Sequence, residues 1–203
     1  MSSNEHRLLL LRHGETEWSL AGKHTSRTEL DLTEHGCEQA RAVGETLARL
    51  RVDHPYVVSS PRKRALVTAE LAGLSVHEVS PLITEWDYGD YEGTTTEEIR
   101  KAVPDWLVWT HGCPGGETAV EVRHRADRAI ALALHHMATR DVVFVGHGHF
   151  SRAVLTRWIE QPVYEGIRFA MTAASIAVCG FEHGVRQIAG LGITGNPRSP
   201  EPE

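Results

Sequence analysis

The chain has 203 residues, of which 41% are hydrophobic and 24% are charged, and its formal net charge is −6. This size and composition are typical of a soluble globular protein and allow one domain with a substantial core. The negative charge and the lack of a Lys/Arg-rich run argue against a nucleic-acid-binding protein. Attraction for an anion must therefore come from local charges in a pocket.

The sequence predicts a cytoplasmic protein. No secretory leader precedes residue 8, and no apolar run approaches the ~18 residues of a membrane span, so no membrane association is expected. The three cysteines, Cys37, Cys113 and Cys179, are odd in number and widely spaced. They therefore favour neither a disulfide framework nor a zinc–thiolate site.

The first predicted element is a strand of four leucines at residues 8–11, which leads directly into Arg12, His13 and Gly14. Four apolar residues bounded by charge indicate a strand that is buried on both faces. Ligands of open α/β sheets bind at the carboxyl ends of strands, so Arg12 and His13 lie where a site is expected. One such pair alone would still favour a simple polar turn.

Helices and strands then alternate along the chain. Thr33 is the predicted N-cap of an amphipathic helix, and residues 56–58 predict the second strand. Ser60 is expected to cap the next helix, with Pro61 at its first position. Residues 76–79 predict a third, more exposed strand.

Residues 81–116 are irregular and rich in aromatic residues and glycine, which is typical of a functional loop or lid. One short helix is predicted inside this segment, with Thr95 and Glu98 as its capping box. Four aromatic residues are interpreted either as lid or pocket residues or as anchors of the core. They are Trp86, Tyr88, Trp106 and Trp109.

A long amphipathic helix follows, with Val120 among its predicted inward positions. Residues 141–146 predict a buried strand that ends in His147. The segments 175–181 and 185–191 predict a β-hairpin at the sheet edge.

This alternation predicts an α/β fold, a three-layer sandwich with a mainly parallel central sheet flanked by helices. No linker or internal repeat divides the chain, so a single domain over residues 1–203 is predicted, with an ordered core over about 7–192. Residues 197–203 are rich in proline and glutamate and predict a flexible tail. A homodimer through the edge hairpin is a further hypothesis.

Four cationic or titratable groups follow the strongest strands, namely Arg12, His13, Arg64 and His147. Guanidinium groups and helix N-termini suit a dianionic tetrahedral group such as phosphate. No acidic cluster suited to magnesium and no P-loop accompany them, which argues against P-loop nucleotide hydrolysis. His147 and His149 lack a nearby third ligand, so no metal site is predicted.

The motifs are, in chain order, Arg12-His13-Gly14-Glu15-Thr16 followed by Trp18, Ser60-Pro61 followed by Arg64-Ala65, an acid-bearing loop at Glu85, and His147-Gly148. In this order, and at strand ends, they resemble the histidine phosphatase superfamily, which includes the phosphoglycerate mutases. The resemblance covers roughly residues 7–190. It implies the phosphoglycerate mutase-like version of the α/β sandwich.

The resemblance also implies the role of each site residue. His13 would be the nucleophile that forms a phosphohistidine intermediate. Arg12, Arg64 and His147 would hold the non-bridging oxygens, and Glu85 would protonate the leaving alcohol and later assist water. These roles suit phosphoryl transfer, which depends on positioning and charge stabilisation, and they require no cofactor.

Two chemical expectations follow. His13 must be neutral at its attacking nitrogen, so its other nitrogen is expected to donate to a backbone carbonyl or a similar acceptor. Glu85 must be protonated when the alcohol departs, so an acidic optimum is expected. Three carboxyl groups on the same loop are alternatives to Glu85, namely Asp87, Asp90 and Glu92.

Arg64 is preferred over Arg62 because the family pattern places its arginine there. Ser19 replaces the asparagine that the mutases usually carry after the tryptophan, and Thr25 lies at a position that contacts phosphate in relatives. The resemblance therefore adds Ser19, Thr25 and Gly148 to the predicted substrate-binding residues.

The mutase branch carries an added basic group after its acidic residue. No equivalent basic pair occurs between residues 85 and 116, because Arg100 and Lys101 lie on the predicted short helix instead. This difference favours the branch of broad-specificity acid phosphatases, which are metal-independent phosphomonoesterases, with a small phosphorylated metabolite as substrate. A cofactor-dependent phosphoglycerate mutase is the first alternative. A non-catalytic phospho-ligand-binding module ranks last, because every core group of the site is present.

Overall fold

The structure, a computed structural model, describes residues 6–195. The strands are β1 (Leu8–Arg12), β2 (Tyr56–Ser59), β3 (Glu78–Val79), β4 (Val142–Gly146), β5 (Ile176–Glu182) and β6 (Val185–Ile193). The α-helices are α1 (Glu17–Leu20), α2 (Glu34–Arg49), α3 (Lys63–Leu71), α4 (Thr96–Ala102), α5 (Val108–His111), α6 (Ala119–His136) and α7 (Gly148–Trp158). Short 3₁₀ turns cover Pro81–Ile83, Gly89–Tyr91 and Val163–Arg168.

The six strands form one sheet in the order β3-β2-β4-β1-β5-β6. β1 to β4 are mutually parallel, while β5 pairs antiparallel with β1 and β6 antiparallel with β5. The predicted mainly parallel α/β sheet and its edge hairpin are therefore confirmed. The tail predicted at 197–203 lies outside the described residues, and the single-domain boundaries stay a prediction.

The leucines of β1 supply both faces of the core. Leu8 and Leu10 pack in the layer that contains α6 and α7, whereas Leu9 and Leu11 pack against α2 and α3. At most 1% of each leucine is exposed. Each buried leucine stabilises the fold by about 1.5–3 kcal/mol, so β1 is fixed at the centre of the sheet.

Strand register brings two of the predicted site segments together. Arg12 is the register partner of Gly146 at the ends of β1 and β4. The next residue, His13, donates its backbone N–H to the Gly146 carbonyl at 2.9 Å. His13 and His147 therefore leave the sheet side by side, and their ring centroids are 5.3 Å apart.

Two local predictions are wrong. The helix after β2 begins at Lys63 with Arg62 as its N-cap, so neither Ser60 nor Pro61 holds its predicted position. Val120 is 57% exposed, because it lies two residues from the buried Val122 and therefore on the opposite face of α6.

The capping box of Thr95 and Glu98 and the N-cap of Thr33 are present. The structure adds two helices of four residues each, α1 and α5, which are too short to produce a periodic pattern. Within residues 6–195, no helix is long and apolar enough to cross a membrane.

Candidate active site

A pocket of about 250 Å³ lies at the carboxyl ends of the parallel strands. Six of the predicted site residues line it, namely Arg12, His13, Ser19, Thr25, Glu85 and Gly148. The other two, Arg64 and His147, are fully buried next to His13 and do not form the pocket surface. The predicted groups thus converge on His13 from the pocket side and from the interior.

His13 presents one nitrogen for reaction. Its Nδ1 lies 2.7 Å from the Gly14 carbonyl oxygen. Because a carbonyl can only accept, Nδ1 carries the proton and Nε2 keeps its lone pair. Burial, followed by the charges of Arg12 and Arg64, holds the pKa of His13 well below its usual 6.5. The ring is therefore neutral over the ordinary pH range, as the expected nucleophile requires.

The loop that carries His13 is fixed by close backbone packing. Gly14 donates its N–H to Thr68 Oγ1 at 3.0 Å. A β-carbon at Gly14 would lie 2.4 Å from the carbonyl oxygen of Gly36 on α2, so a larger residue cannot fit without moving the backbone. Gly14 thus allows the loop to pack against α2.

Arg64 is fully buried and holds the loop opposite His13. Its Nη1 donates to the Thr28 carbonyl at 2.9 Å, and its Nη2 donates to the carbonyls of Ser26 and Thr25 at 3.1 and 3.3 Å. Its Nε is buried and has no hydrogen-bond partner among the described residues. The competing Arg62 instead forms an ion pair with Glu29 at 3.0 Å.

Arg12 reaches the same region from the end of β1. Its Nη1 donates to the Met171 carbonyl at 2.6 Å, and its buried Nε is unpartnered within residues 6–195. Gly148 lies under this guanidinium, because a β-carbon there would be 3.4 Å from the Arg12 Cζ and Nε. Arg12 thus lies against the start of α7.

His147 is oriented by Ser60. The Ser60 hydroxyl lies 2.8 Å from His147 Nε2 and accepts the N–H of Arg62 at 3.4 Å. The hydroxyl can donate to Nε2 while it accepts the Arg62 N–H, and we assign the ring proton to Nδ1 on this pattern. Burial, with added repulsion from Arg64 and His13, holds the pKa of His147 well below 6.5.

Four side-chain N–H groups are buried without a partner in the described part of the chain. Three of them, Arg12 Nε, Arg64 Nε and His147 Nδ1, belong to residues around His13, and the fourth is Arg62 Nε. Buried donors are nearly always satisfied in folded proteins, so three together indicate a site for an acceptor-rich ligand. We call Arg12, Arg64 and His147 the donor cage. Its composition suits a tetrahedral oxyanion.

Glu85 lies at the N-terminus of α7, on the pocket side of His13. Its Oε1 accepts the backbone N–H groups of Trp86 and Phe150 at 2.9 and 2.7 Å, and its Oε2 accepts that of His149 at 3.0 Å. These three bonds hold the carboxyl group at the start of α7. Because Oε2 has one donor and Oε1 has two, Oε2 keeps a site for a proton.

The alternative carboxyl groups serve the surrounding loops. Glu92 accepts hydrogen bonds from Ser26 and Thr28, and these bonds outweigh the opposing effect of burial and lower its pKa. Asp87 forms an ion pair with Arg27. Among the four acidic candidates, Glu85 alone lines the pocket with His13.

Ser19 and Thr25 line the pocket, but their hydroxyls already have backbone partners. Ser19 Oγ donates to the Thr16 carbonyl at 3.0 Å and accepts the Thr16 N–H, which forms the capping box of α1. Thr25 Oγ1 donates to the Lys23 carbonyl at 3.2 Å. Within residues 6–195, no group of three or more His, Cys, Asp or Glu residues is placed to hold a metal ion.

Sequence reasoning missed several pocket residues. They include Lys23, His24 and Arg152. Tyr88, for which a pocket position was one of two interpretations, also lines the pocket, as does His149. Burial lowers the pKa of His24 to about 4, and the Tyr88 hydroxyl lies 2.7 Å from His149 Nδ1. A helical wheel could have found Arg152, because it lies four residues after Gly148 on the same face of α7.

The aromatic residues of the irregular segment divide between the two interpretations. Trp86, Trp106 and Trp109 are buried and belong to the core cluster, with at most 4% of each exposed. Tyr88 is equally buried and also contributes to the pocket. The segment is therefore held to the core by its aromatic residues.

The fold and the site residues can be compared with those of known protein families. The sequence profile of the histidine phosphatase superfamily (branch 1) matches residues 8–194. The chain belongs to this superfamily, and the resemblance found in its motifs is confirmed.

Three individual relatives show how similar the chain is to known proteins. An acid phosphatase of Mycobacterium tuberculosis is 62% identical over 198 residues, which cover 98% of both chains. A solved structure of an open reading frame product from Mycobacterium tuberculosis has a TM-score of 0.93 at 62% identity, covering 95% of this chain and 100% of that chain. Sedoheptulose 1,7-bisphosphatase of Saccharomyces cerevisiae is 35% identical over 78% of this chain and 69% of the relative.

Proposed function

We propose that the protein is a metal-independent phosphomonoesterase, an acid phosphatase, that works through a phosphohistidine at His13. The observation that carries this proposal is the geometry of His13, whose Nδ1 is hydrogen-bonded to the Gly14 carbonyl beside three unpartnered N–H donors. The lowered pKa of His13 is consistent with this role. The 62% identity to a named acid phosphatase supports the same activity.

In the first step, His13 Nε2 attacks phosphorus and the bond from phosphorus to the alcohol oxygen breaks. The proton on Glu85 Oε2 passes to the departing oxygen, so the products are the free alcohol, phosphohistidine and a carboxylate. The donor cage stabilises the charge on the non-bridging oxygens. Preorganised donors of this kind supply most of the stabilisation in phosphoryl transfer.

In the second step, a water oxygen attacks phosphorus and the bond from phosphorus to Nε2 breaks. The water proton passes to the Glu85 carboxylate, which restores the acid for the next turnover. His13 returns to its neutral form with its proton still on Nδ1. The cycle consumes one water and releases one phosphate, and it uses the same two protein groups in both steps.

The substrate is a small phosphorylated metabolite. A pocket of about 250 Å³ is smaller than the roughly 300–1,000 Å³ of sites for drug-sized ligands. The homodimer and the cytoplasmic location expected from the sequence stay predictions. Light scattering of the purified protein and cell fractionation test them.

A phosphoglycerate mutase is the second candidate, and one observation favours it. Lys23 and Arg152 add positive charge to the pocket wall, where a second anionic group of a phosphoglycerate could bind. A mutase returns the phosphoryl group to a second alcohol, whereas a phosphatase releases it to water. The two reactions therefore differ in their product.

Assays of an aryl phosphate and of 3-phosphoglycerate, each with and without a chelator, test the proposal. We expect phosphate release that survives chelation. Isomerisation of 3-phosphoglycerate without release would favour the mutase, and activity that the chelator abolishes would contradict a metal-independent enzyme. A protein that is inert to every ester would leave the binding-module interpretation.

A further inference from the structure

Arg125 on α6 uses every hydrogen-bond donor that it has. Its Nε and Nη2 donate to the two carboxylate oxygens of Glu117 at 2.8 and 2.6 Å. Its remaining hydrogens go to the carbonyls of Leu82, Thr84 and Glu85, at 3.2, 2.6 and 3.1 Å. A guanidinium offers five N–H groups in a fixed planar fork, so five bonds define one geometry for the backbone that they meet.

Glu117 binds the two residues that follow Glu85, Trp86 and Asp87. Its Oε2 accepts the backbone N–H of Asp87 at 3.0 Å, and its own N–H donates to the Asp87 carbonyl at 3.0 Å. Its carbonyl accepts the indole N–H of Trp86 at 2.9 Å. The Arg125–Glu117 pair therefore fixes the backbone before and after Glu85.

The Arg125 guanidinium also contacts Phe150, whose backbone N–H is hydrogen-bonded to the Glu85 carboxylate. The Arg125 Cζ lies 4.1 Å from the centre of the Phe150 ring, and the Phe150 N–H donates to Glu85 Oε1 at 2.7 Å. Arg125 thus contacts both the residue that carries the carboxylate and the helix start that binds it. Only 13% of the Arg125 side chain is exposed.

We propose that Arg125 and Glu117 are positioning residues that hold Glu85 Oε2 at the leaving oxygen of the substrate. The inference rests on the proposed function, in which Glu85 is the proton donor. A misplacement of about 1 Å is enough to cost on the order of 10²-fold in rate, so the backbone bonds are expected to matter for proton transfer. A purely structural ion pair would instead affect every substrate equally.

Two aryl phosphates separate these roles. The p-nitrophenolate ion departs without a proton, whereas phenolate is a poorer leaving group that benefits from one. We therefore compare kcat/KM for phenyl phosphate with kcat/KM for p-nitrophenyl phosphate in each variant. Partial unfolding lowers both values equally, so their ratio reports only on proton donation.

In Arg125→Met we expect kcat/KM for phenyl phosphate to fall about 10²-fold and that for p-nitrophenyl phosphate to fall less than about threefold. Glu117→Gln should change the ratio in the same direction by a smaller factor. Arg125→Lys should not restore the ratio, because an ammonium cannot reproduce the planar fork.

Arg157→Met is the matched control. Arg157 on α7 forms an ion pair with Asp127 on α6 at 2.7 Å, so it joins the same two helices without touching the segment around Glu85. In Arg157→Met, the ratio of the two kcat/KM values should equal that of the unmodified protein. A ratio in Arg125→Met equal to that of this control would overturn the positioning role.

Glu85→Gln separates failure of this inference from failure of the proposed function. If Glu85 is the acid, this variant shows the same selective loss on phenyl phosphate, by about 10²–10⁴-fold. If kcat/KM falls equally for both substrates, the acid role of Glu85 is contradicted, and the positioning role of Arg125 and Glu117 is contradicted with it. If Glu85→Gln is selective and Arg125→Met is not, only the positioning role fails.

Discussion

The two halves of the site are held in different ways. The donor cage and His13 follow β1, β2 and β4, so their places are set by strand register, as in the pairing of Arg12 with Gly146. Residues 81–93, which carry Glu85, are built on two short 3₁₀ turns. Their shape depends on bonds to α6 and α7.

Charge stabilisation and proton delivery therefore belong to different halves of the site. Substitutions of His13 or of the donor cage should lower kcat/KM for every phosphate ester, because every substrate presents the same phosphoryl group. Substitutions around Glu85 should lower kcat/KM selectively for esters with poor leaving groups, because kcat/KM reports the step in which the alcohol departs.

His13→Ala should reduce kcat/KM on the order of 10⁴-fold or more for both phenyl and p-nitrophenyl phosphate, because no other group replaces the nucleophile. The variant should fold normally, since the His13 side chain makes one hydrogen bond, to Gly14. Steady-state kinetics and thermal unfolding check both points. A loss confined to phenyl phosphate would assign His13 to the proton-delivery half.

Arg64→Met and Arg12→Met should each lower kcat/KM about 10²–10³-fold but differ in stability. The first leaves three carbonyls without their donor, one of them in a buried contact and two in part-buried contacts, and we expect the free energy of unfolding to fall by about 3 kcal/mol. The second leaves one such carbonyl, that of Met171, and should cost about 1 kcal/mol. Urea unfolding measures the difference, and equal losses of stability would contradict the assignment of their bonds.

Ser60→Ala should lower kcat/KM about tenfold for both substrates, because the His147 ring loses the hydroxyl that orients it. Ser59→Ala is the matched control, since that buried hydroxyl donates to the Ser60 carbonyl and does not touch the donor cage. An equal effect in the two variants would remove Ser60 from the site.

The acid limb of the pH profile should lie well below 6.5. Burial and the charges of Arg12 and Arg64 lower the pKa of His13, so acidification from neutral pH does not protonate the nucleophile. We expect kcat/KM for p-nitrophenyl phosphate, whose leaving group needs no proton from Glu85, to change less than about threefold between pH 6.5 and pH 5. An imidazole with an ordinary pKa would instead lose roughly tenfold for each pH unit below 6.5.

The same division explains what could be predicted from the sequence. The strand ends were predictable because four leucines and a valine-rich run define β1 and β4, and parallel strands bring their ends together. Glu85 could be proposed from the family pattern alone. Its partners Glu117 and Arg125 lie 32 and 40 residues further along the chain, and no local pattern indicates that they meet it.

Ser60 shows how a tertiary contact overrides a local preference. Serine followed by proline is typical of a helix start, yet the helix begins at Lys63 and the hydroxyl binds His147. The contact spans 87 positions in the sequence, so it could not be read from the neighbouring residues.

The most direct test of the account is to trap the phosphoenzyme. An active preparation mixed with radiolabelled phenyl phosphate and quenched in alkali within the first turnover should carry up to one label per chain. The label should be lost in acid, as a phosphohistidine is, and should be absent from His13→Ala. An active enzyme that never carries acid-labile label, or a His13→Ala variant that still does, would contradict the mechanism.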